Sequence, residues 1–167
     1  MDQKLSILFA RRSIRKYTSA PIGAADVRSI LEAGMAAPSA NDRQPWQIVA
    51  VQDRTMLREL ADAHPYGRML ADAPLGIAVC GDPSVSTWWE VDCAAATENM
   101  LVAAAGLGLG GVWLGVHGDA ERERSIRKVL GVPDRIGILS LIAIGHPAEH
   151  KEPRTQFDPS KVHTDRW

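Results

Sequence analysis

Four cations, Arg11, Arg12, Arg15 and Lys16, fall within six residues of the segment "RRSIRK". If the backbone is extended there, alternate side chains share a side. Arg11, Ser13 and Arg15 then line one edge, while Ile14 and Lys16 take the other. Two guanidiniums and a hydroxyl on one edge form a fork for phosphate or carboxylate, because each guanidinium offers paired N–H donors to two oxygens. The whole chain carries a net charge of −1, so no overall field favours nucleic acid or an anionic membrane. The anion this segment awaits is therefore small and local. Taken alone, the segment reads equally well as a solvated charged turn.

A second stretch, "APSANDRQPWQIVAV", stops a helix at Pro38, crosses a polar loop and enters a strand after Gln44-Pro45. Its exposed backbone groups and flat side chains suit the edge and face of a planar heterocycle. Alone, it reads as an ordinary helix-to-strand loop.

Other chemistries lack their residues. The glycines of "GLGLGG" (106–111) match a dinucleotide-binding spacing, but that motif must follow a strand and open a helix. Here the glycines follow a long apolar run and precede a strand, which makes them a helix stop. There is no G-x-S-x-G elbow, H-E-x-x-H pair or P-loop. The histidines are scattered. Cys80 and Cys93 sit in apolar runs without CxxC spacing and read as core thiols of a reducing, cytoplasmic compartment, with no metal site. The N-terminus lacks the apolar core of a signal peptide, and no run approaches the ~20 apolar residues that span a bilayer.

The elements that must position these groups follow from periodicity. With 46% hydrophobic residues over 167, the chain reads as one globular domain, residues 1–167. Helices are expected at 3–11 after an Asp2 cap, around Val27–Gly34, around Met56–Leu60, over 92–108, and between Asp119 and Gly131. Strands are expected at 46–51, 74–80, 111–116 and 137–145. The helix at 92–108, with six alanines between 94 and 105, is apolar on nearly every side, so it belongs in a domain centre or a subunit interface. Alternating helices and apolar strands suggest a sheet between helical layers, and the pattern alone favours a parallel, doubly wound sheet. The tail from Glu149 should be extended and packed on something.

Four segments in order, "RRSIRKY", "APSANDRQPWQIV", "DCAAATENMLVAAAGLGLGGVWLGV" and a tail ending "KVHTDRW", resemble the nitroreductase family of FMN-dependent flavoproteins. The resemblance runs from about residue 8 to the last residue. It implies an α+β, three-layer fold with a mixed, largely antiparallel sheet. It also implies an obligate homodimer with FMN at the interface, the long helix packed on its twin and the tail extending onto the partner subunit. Arg11 and Ser13 would meet the FMN phosphate with Arg12 beside them, and Arg15 would sit at the pyrimidine edge. There a cation stabilises the charge that two-electron reduction creates. Pro38, Ser39, Ala40, Asp42 and Gln44 would come from the other subunit. Asp42 stands where Asn is frequent and, ionised, cannot donate. Backbone N–H groups of Leu114, Gly115 and Val116 would face the reactive ring nitrogen. Arg154 would reach the phosphate, while Gln156 replaces a second basic residue there.

The implied activity is hydride transfer from NADH or NADPH through FMN to a small flat acceptor, nitroaromatic or quinone-like, by a ping-pong scheme needing no protein nucleophile. Tyr66, Trp88, Trp89 and Trp113 are candidate pocket walls, though each reads more readily as packing. Two other readings are open: a protein that stores or remodels FMN, and a polyanion-binding module, which the neutral charge disfavours.

Overall fold

The four apolar runs become β1 (Trp46–Val51), β2 (Leu75–Gly81), β3 (Gly110–Gly115) and β4 (Gly137–Gly145), paired in the order β1-β2-β4-β3. This computed structural model describes residues 3–167, so the expected cap at Asp2 lies outside the described residues. Every neighbouring strand pair is antiparallel, which corrects the parallel sheet that the pattern favours. The mixed character expected of the sheet reduces, among the described residues, to one isolated parallel bridge from Ser13 to Gly111. Direction was illegible for a physical reason. All seven residues of β2 are buried, because helices cover both faces of the sheet, and such a run is apolar whichever way its neighbours point.

Among the described residues, five α-helices complete the layers: α1 (Ser6–Ala10), α2 (Ala24–Met35), α3 (Arg54–Ala63), α4 (Trp89–Gly106) and α5 (Ala120–Leu130). Leu57 and Leu60 of α3 and Ile126 of α5 fill one core with Ala78, Cys80 and Leu141. Ile30 of α2 and Cys93, Ala96, Met100 and Ala104 of α4 fill the other with Leu75, Ile77 and Ile142. Local chemistry sets the ends. The Asp53 carboxylate accepts from the N–H groups of Thr55 (3.0 Å) and Met56 (2.8 Å), and Asp119 accepts from that of Arg122 (3.0 Å). The 106–111 glycines stop α4 as expected. Gly108 turns left-handed at φ 72°, and the Leu109 N–H returns to the Ala104 carbonyl at 2.8 Å.

Helix α4 opens three residues earlier than periodicity placed it, and Trp89 is the reason. Gly81 of β2 and Gly137 of β4 are register partners. A Cβ on Gly81 would lie 2.5 Å from the Trp89 ring, and one on Gly137 only 2.4 Å from it. The indole lies across this glycine pair, 7% exposed, and fixes where the first turn of α4 meets the sheet. Gly137→Ala is expected to destabilise the fold by about 1–3 kcal/mol through overpacking. The check is urea unfolding: a lowered midpoint at unchanged slope.

Candidate functional site

The basic segment is extended, as its alternation required, and is stitched to the open edge of β3. The Ile14 N–H donates to the Gly111 carbonyl at 3.0 Å, and the buried Ile14 side chain occupies the space where a Cβ on Gly110 would sit. Further on, Thr18 N–H donates to the His146 carbonyl (2.9 Å) and Ala148 N–H to that of Lys16 (2.8 Å). The Tyr17 hydroxyl lies 2.6 Å from the Ile14 carbonyl oxygen and 3.0 Å from that of Ala143, and burial pushes the phenol pKa well up. Segment 13–18 is therefore clamped between β3 and the chain that follows β4.

That following chain supplies more charge. The Arg15 N–H donates to the Glu149 carboxylate at 2.6 Å, which holds this carboxyl below its usual range. Lys151 Nζ donates to the Ser13 carbonyl (2.5 Å) and pairs with Glu149 (3.5 Å). Arg12 donates to the Glu152 carbonyl, and the Arg154 N–H donates to that of Phe9 (3.2 Å). Arg11, Arg12 and Lys151 line a cavity of about 260 Å³ whose other wall includes Leu101 and Ala105 of α4. Arg11 pairs there with Glu98 of α4 at 2.9 Å. Strict alternation fails twice. Arg11 and Arg12 share that cavity. Arg15 and Lys16 were expected on opposite sides, but both line a single neighbouring pocket.

The loop at 38–44 is strained and braced. Asn41, Asp42 and Gln44 all adopt left-handed backbone, at φ 53°, 54° and 48°. For non-glycine residues each costs about 1 kcal/mol or more, and such strain persists only where the surroundings enforce it. Here the Ser39 hydroxyl accepts from the Gln44 N–H (3.0 Å), and Gln44 Nε2 donates to Asp42 Oδ1 (2.8 Å). The Ala40 N–H donates to Asp92 Oδ1 (2.9 Å), whose other oxygen accepts from the Ser86 hydroxyl (2.9 Å). Asp92 is 4% exposed and sits in the first turn of α4, so the loop's position is tied to the Trp89 anchor. Pro38, Asp42 and Gln44 are exposed, and Ser39 and Ala40 half-buried.

The third candidate group resolves into one donor. Val116 N–H already donates to the Leu139 carbonyl at 3.0 Å. In an antiparallel ladder, alternate N–H groups face the partner, so Leu114 also faces β4 and Gly115 aims its N–H at the open edge. The Gly115 carbonyl is held by Arg122 (2.7 Å) and by His64 Nε2 (2.9 Å). A carbonyl only accepts, so Nε2 carries the proton, and Nδ1 accepts from the Tyr66 N–H (3.1 Å). Burial lowers the His64 pKa from its ordinary value, which favours this neutral form.

Within one chain, then, Arg11, Arg12 and Ser13 gather with Lys151 and the backbone of Arg154 beside the C-terminal half of α4. The 38–44 loop sits at its other end. Asp92, Glu98, Glu149, Lys151 and Arg68 were not singled out from the sequence. Of these, Asp92 and Glu98 left a signal, as carboxylates inside an otherwise apolar helix. Among the aromatic candidates, Trp89 and Trp113 serve the core, whereas Tyr66 lines the Arg15 pocket and Trp88 is 61% exposed.

Comparison with known proteins places this arrangement. The profile of the nitroreductase family matches residues 8–64 and 63–146. The chain is similar to an Archaeoglobus fulgidus protein named for a predicted NADH dehydrogenase/NAD(P)H nitroreductase activity, at 41% identity over the full length of both. It superposes on the crystal structure of a Parabacteroides distasonis protein of the same designation with a TM-score of 0.96, at 38% identity and full coverage of both chains. An FMN-dependent nitroreductase from Clostridium difficile gives a TM-score of 0.93 at 29% identity, covering 98% of this chain and 99% of its own. With a profile match over most of its length and 41% identity over the whole of a relative, the chain belongs to the nitroreductase family.

Proposed function

We propose that this oxidoreductase holds FMN between two copies of the chain and uses it to pass electrons from NADH or NADPH to a small flat acceptor, nitroaromatic or quinone-like. One observation carries the reading: the two halves of the candidate site lie at opposite ends of the same helix. Val91, Ala94, Glu98, Val102 and Ala105 of α4 form a strip facing away from the sheet, with none of them fully buried and Val91 60% exposed. The strip is about 21 Å long at 1.5 Å per residue. If α4 packs antiparallel on its twin about a two-fold axis, the 38–44 loop of each copy lands beside the other's Arg11 cavity. Both sites are then completed at once, with Pro38, Ser39, Ala40, Asp42 and Gln44 supplied across the interface. The exposed Phe157, Val162 and Trp167 of the tail would find cover on the same partner.

The residues present fit FMN. Arg11, Arg12, Ser13 and Arg154 would hold the phosphate, with Lys151 bracing Ser13 from behind. Arg15, whose side chain has no partner among the described residues, would reach the pyrimidine edge. The Gly115 N–H would point at the reactive ring nitrogen, its peptide fixed by His64 and Arg122. When bound, the flavin supplies the two-electron chemistry between nicotinamide and acceptor, which occupy the same place in turn. The protein's part is orientation and electrostatics.

The primary test is an absorbance spectrum followed by anaerobic addition of NADPH and of NADH. Flavin bands that bleach support the reading; bands that persist point to flavin storage, and a protein that refuses FMN overturns it. Arg11→Ala is expected to weaken FMN binding at least tenfold in a fluorescence titration, and Lys16→Ala to leave it nearly unchanged. Glu98→Gln removes the carboxylate that competes for Arg11 and should tighten FMN a few-fold, as expected for a half-exposed ion pair. Val91→Glu should give a folded monomer by light scattering that retains no flavin.

A further inference from the structure

The pocket beside Arg15 has a volume of about 590 Å³ and carries more positive charge than its neighbours need. Four cations line it: Arg15, Lys16, Arg68 and Lys151. Lys151 is committed to the Ser13 carbonyl and to Glu149, and Glu149 also takes the Arg15 N–H. The side chains of Arg15, Lys16 and Arg68 have no hydrogen bond or ion pair among the described residues. One further carboxylate, Asp72, shares the pocket with these three. Unpaired like charges gathered around a concavity raise its potential and concentrate anions there.

Tyr66 stands over the same pocket, 72% exposed, on a backbone that is anything but loose. Its N–H is held by His64 Nδ1 at 3.1 Å, and the Gly67 N–H returns to the His64 carbonyl at 2.8 Å. An exposed ring on a fixed backbone is a stacking platform whose ordering cost is already met. Through His64 the same turn is tied to Gly115. Arg15 lines the pocket, so it adjoins the place where the flavin ring is proposed to be held.

We infer that Lys16 and Arg68 bind the phosphate groups of the nicotinamide dinucleotide while Tyr66 stacks on its adenine, so that this pocket positions the electron donor. The inference rests on the flavin reading above. The shared chemistry is an oxyanion on a molecule with a flat ring. An acidic aromatic acceptor offers the same chemistry but only one charged group, whereas two separated cations and a detached stacking ring suit a dinucleotide's pyrophosphate and base.

The test compares NADPH, NADH and reduced nicotinamide riboside, which has no phosphate, as donors to the flavin-loaded wild type, Lys16→Gln and Arg68→Gln. Each substitution is expected to raise KM for both dinucleotides about 5- to 20-fold, as for loss of a charge-assisted contact, at unchanged kcat. The riboside's KM and the bound-flavin spectrum should not move. Calorimetric titration with NADP⁺ gives a second readout without turnover and should show the same loss of affinity. Unchanged dinucleotide KM and NADP⁺ affinity would overturn the inference. So would an equal rise for the riboside, or a rise confined to a carboxylated nitroaromatic acceptor, which would assign the cations to the acceptor. Failure to bind FMN would strike the flavin reading itself, and the NADP⁺ titration would still report on Lys16 and Arg68.

Discussion

Helix α4 carries apolar side chains around its whole circumference, while its own chain covers only part of it. Everything at the candidate site follows from how that part is covered. The sheet takes the stripe that runs from Trp89 through Cys93, Ala96 and Met100 to Ala104. The flank against α2 is closed by Asn99 donating to the Ala33 carbonyl at 3.0 Å. Trp89 lies where neither Gly81 nor Gly137 has a Cβ, so the helix cannot slide or rotate on the sheet without meeting backbone. From that fixed cylinder hang the Asp92 carboxylate at one end and Glu98, Leu101 and Ala105 at the other. The first positions a strained loop and the second form one wall of a cationic cavity.

A buried carboxylate is costly unless its oxygens are satisfied. Asp92 is satisfied by a backbone N–H of the loop and by the Ser86 hydroxyl. The arrangement works in both directions. The loop needs Asp92 to hold three left-handed residues, and Asp92 needs the loop to stay buried at the first turn of α4, where the helix dipole also favours its charge. A loop that merely linked α2 to β1 would have no use for such strain. Strain of this kind is retained where backbone groups must face outward in a set geometry.

Much of this was legible in the sequence, and what was not failed for identifiable reasons. Strands 46–51 and 137–145 matched residue for residue, because Pro45 marks the start of one and glycines close both ends of the other. The end of α5 followed from Gly131, and the rejection of the glycine motif from its order relative to helix and strand. Strand direction left no mark, since it changes which carbonyls meet and not which side chains are buried. The start of α4 was misplaced because Trp89 pairs with two glycines far off in sequence. The donor at Gly115 could be separated from Leu114 and Val116 only once the partner strand and its register were known. Arg68 and Lys151 carried no periodic signal. Arg68 matters because the fold leaves it without a carboxylate among the described residues, and Lys151 because it reaches the Ser13 carbonyl.

Charge placement explains how a chain of net charge −1 can still gather cations around one cavity and pocket. The acids are not withheld from the basic segment, but two of them spare its guanidinium charges. Glu149 takes the Arg15 N–H, and Glu152 offers its carbonyl rather than its carboxylate to Arg12. Acidic residues thus anchor the segment without neutralising every guanidinium, and Arg15 is left unpaired in a pocket that also holds Glu149. Only at Arg11 does a carboxylate, Glu98, sit on the fork itself, and it belongs to the strip of α4 that faces away from the sheet. A second copy packed on that strip would change the surroundings of Glu98 and so the hold on Arg11. In a dimer built that way, assembly and anion binding would be coupled through this ion pair.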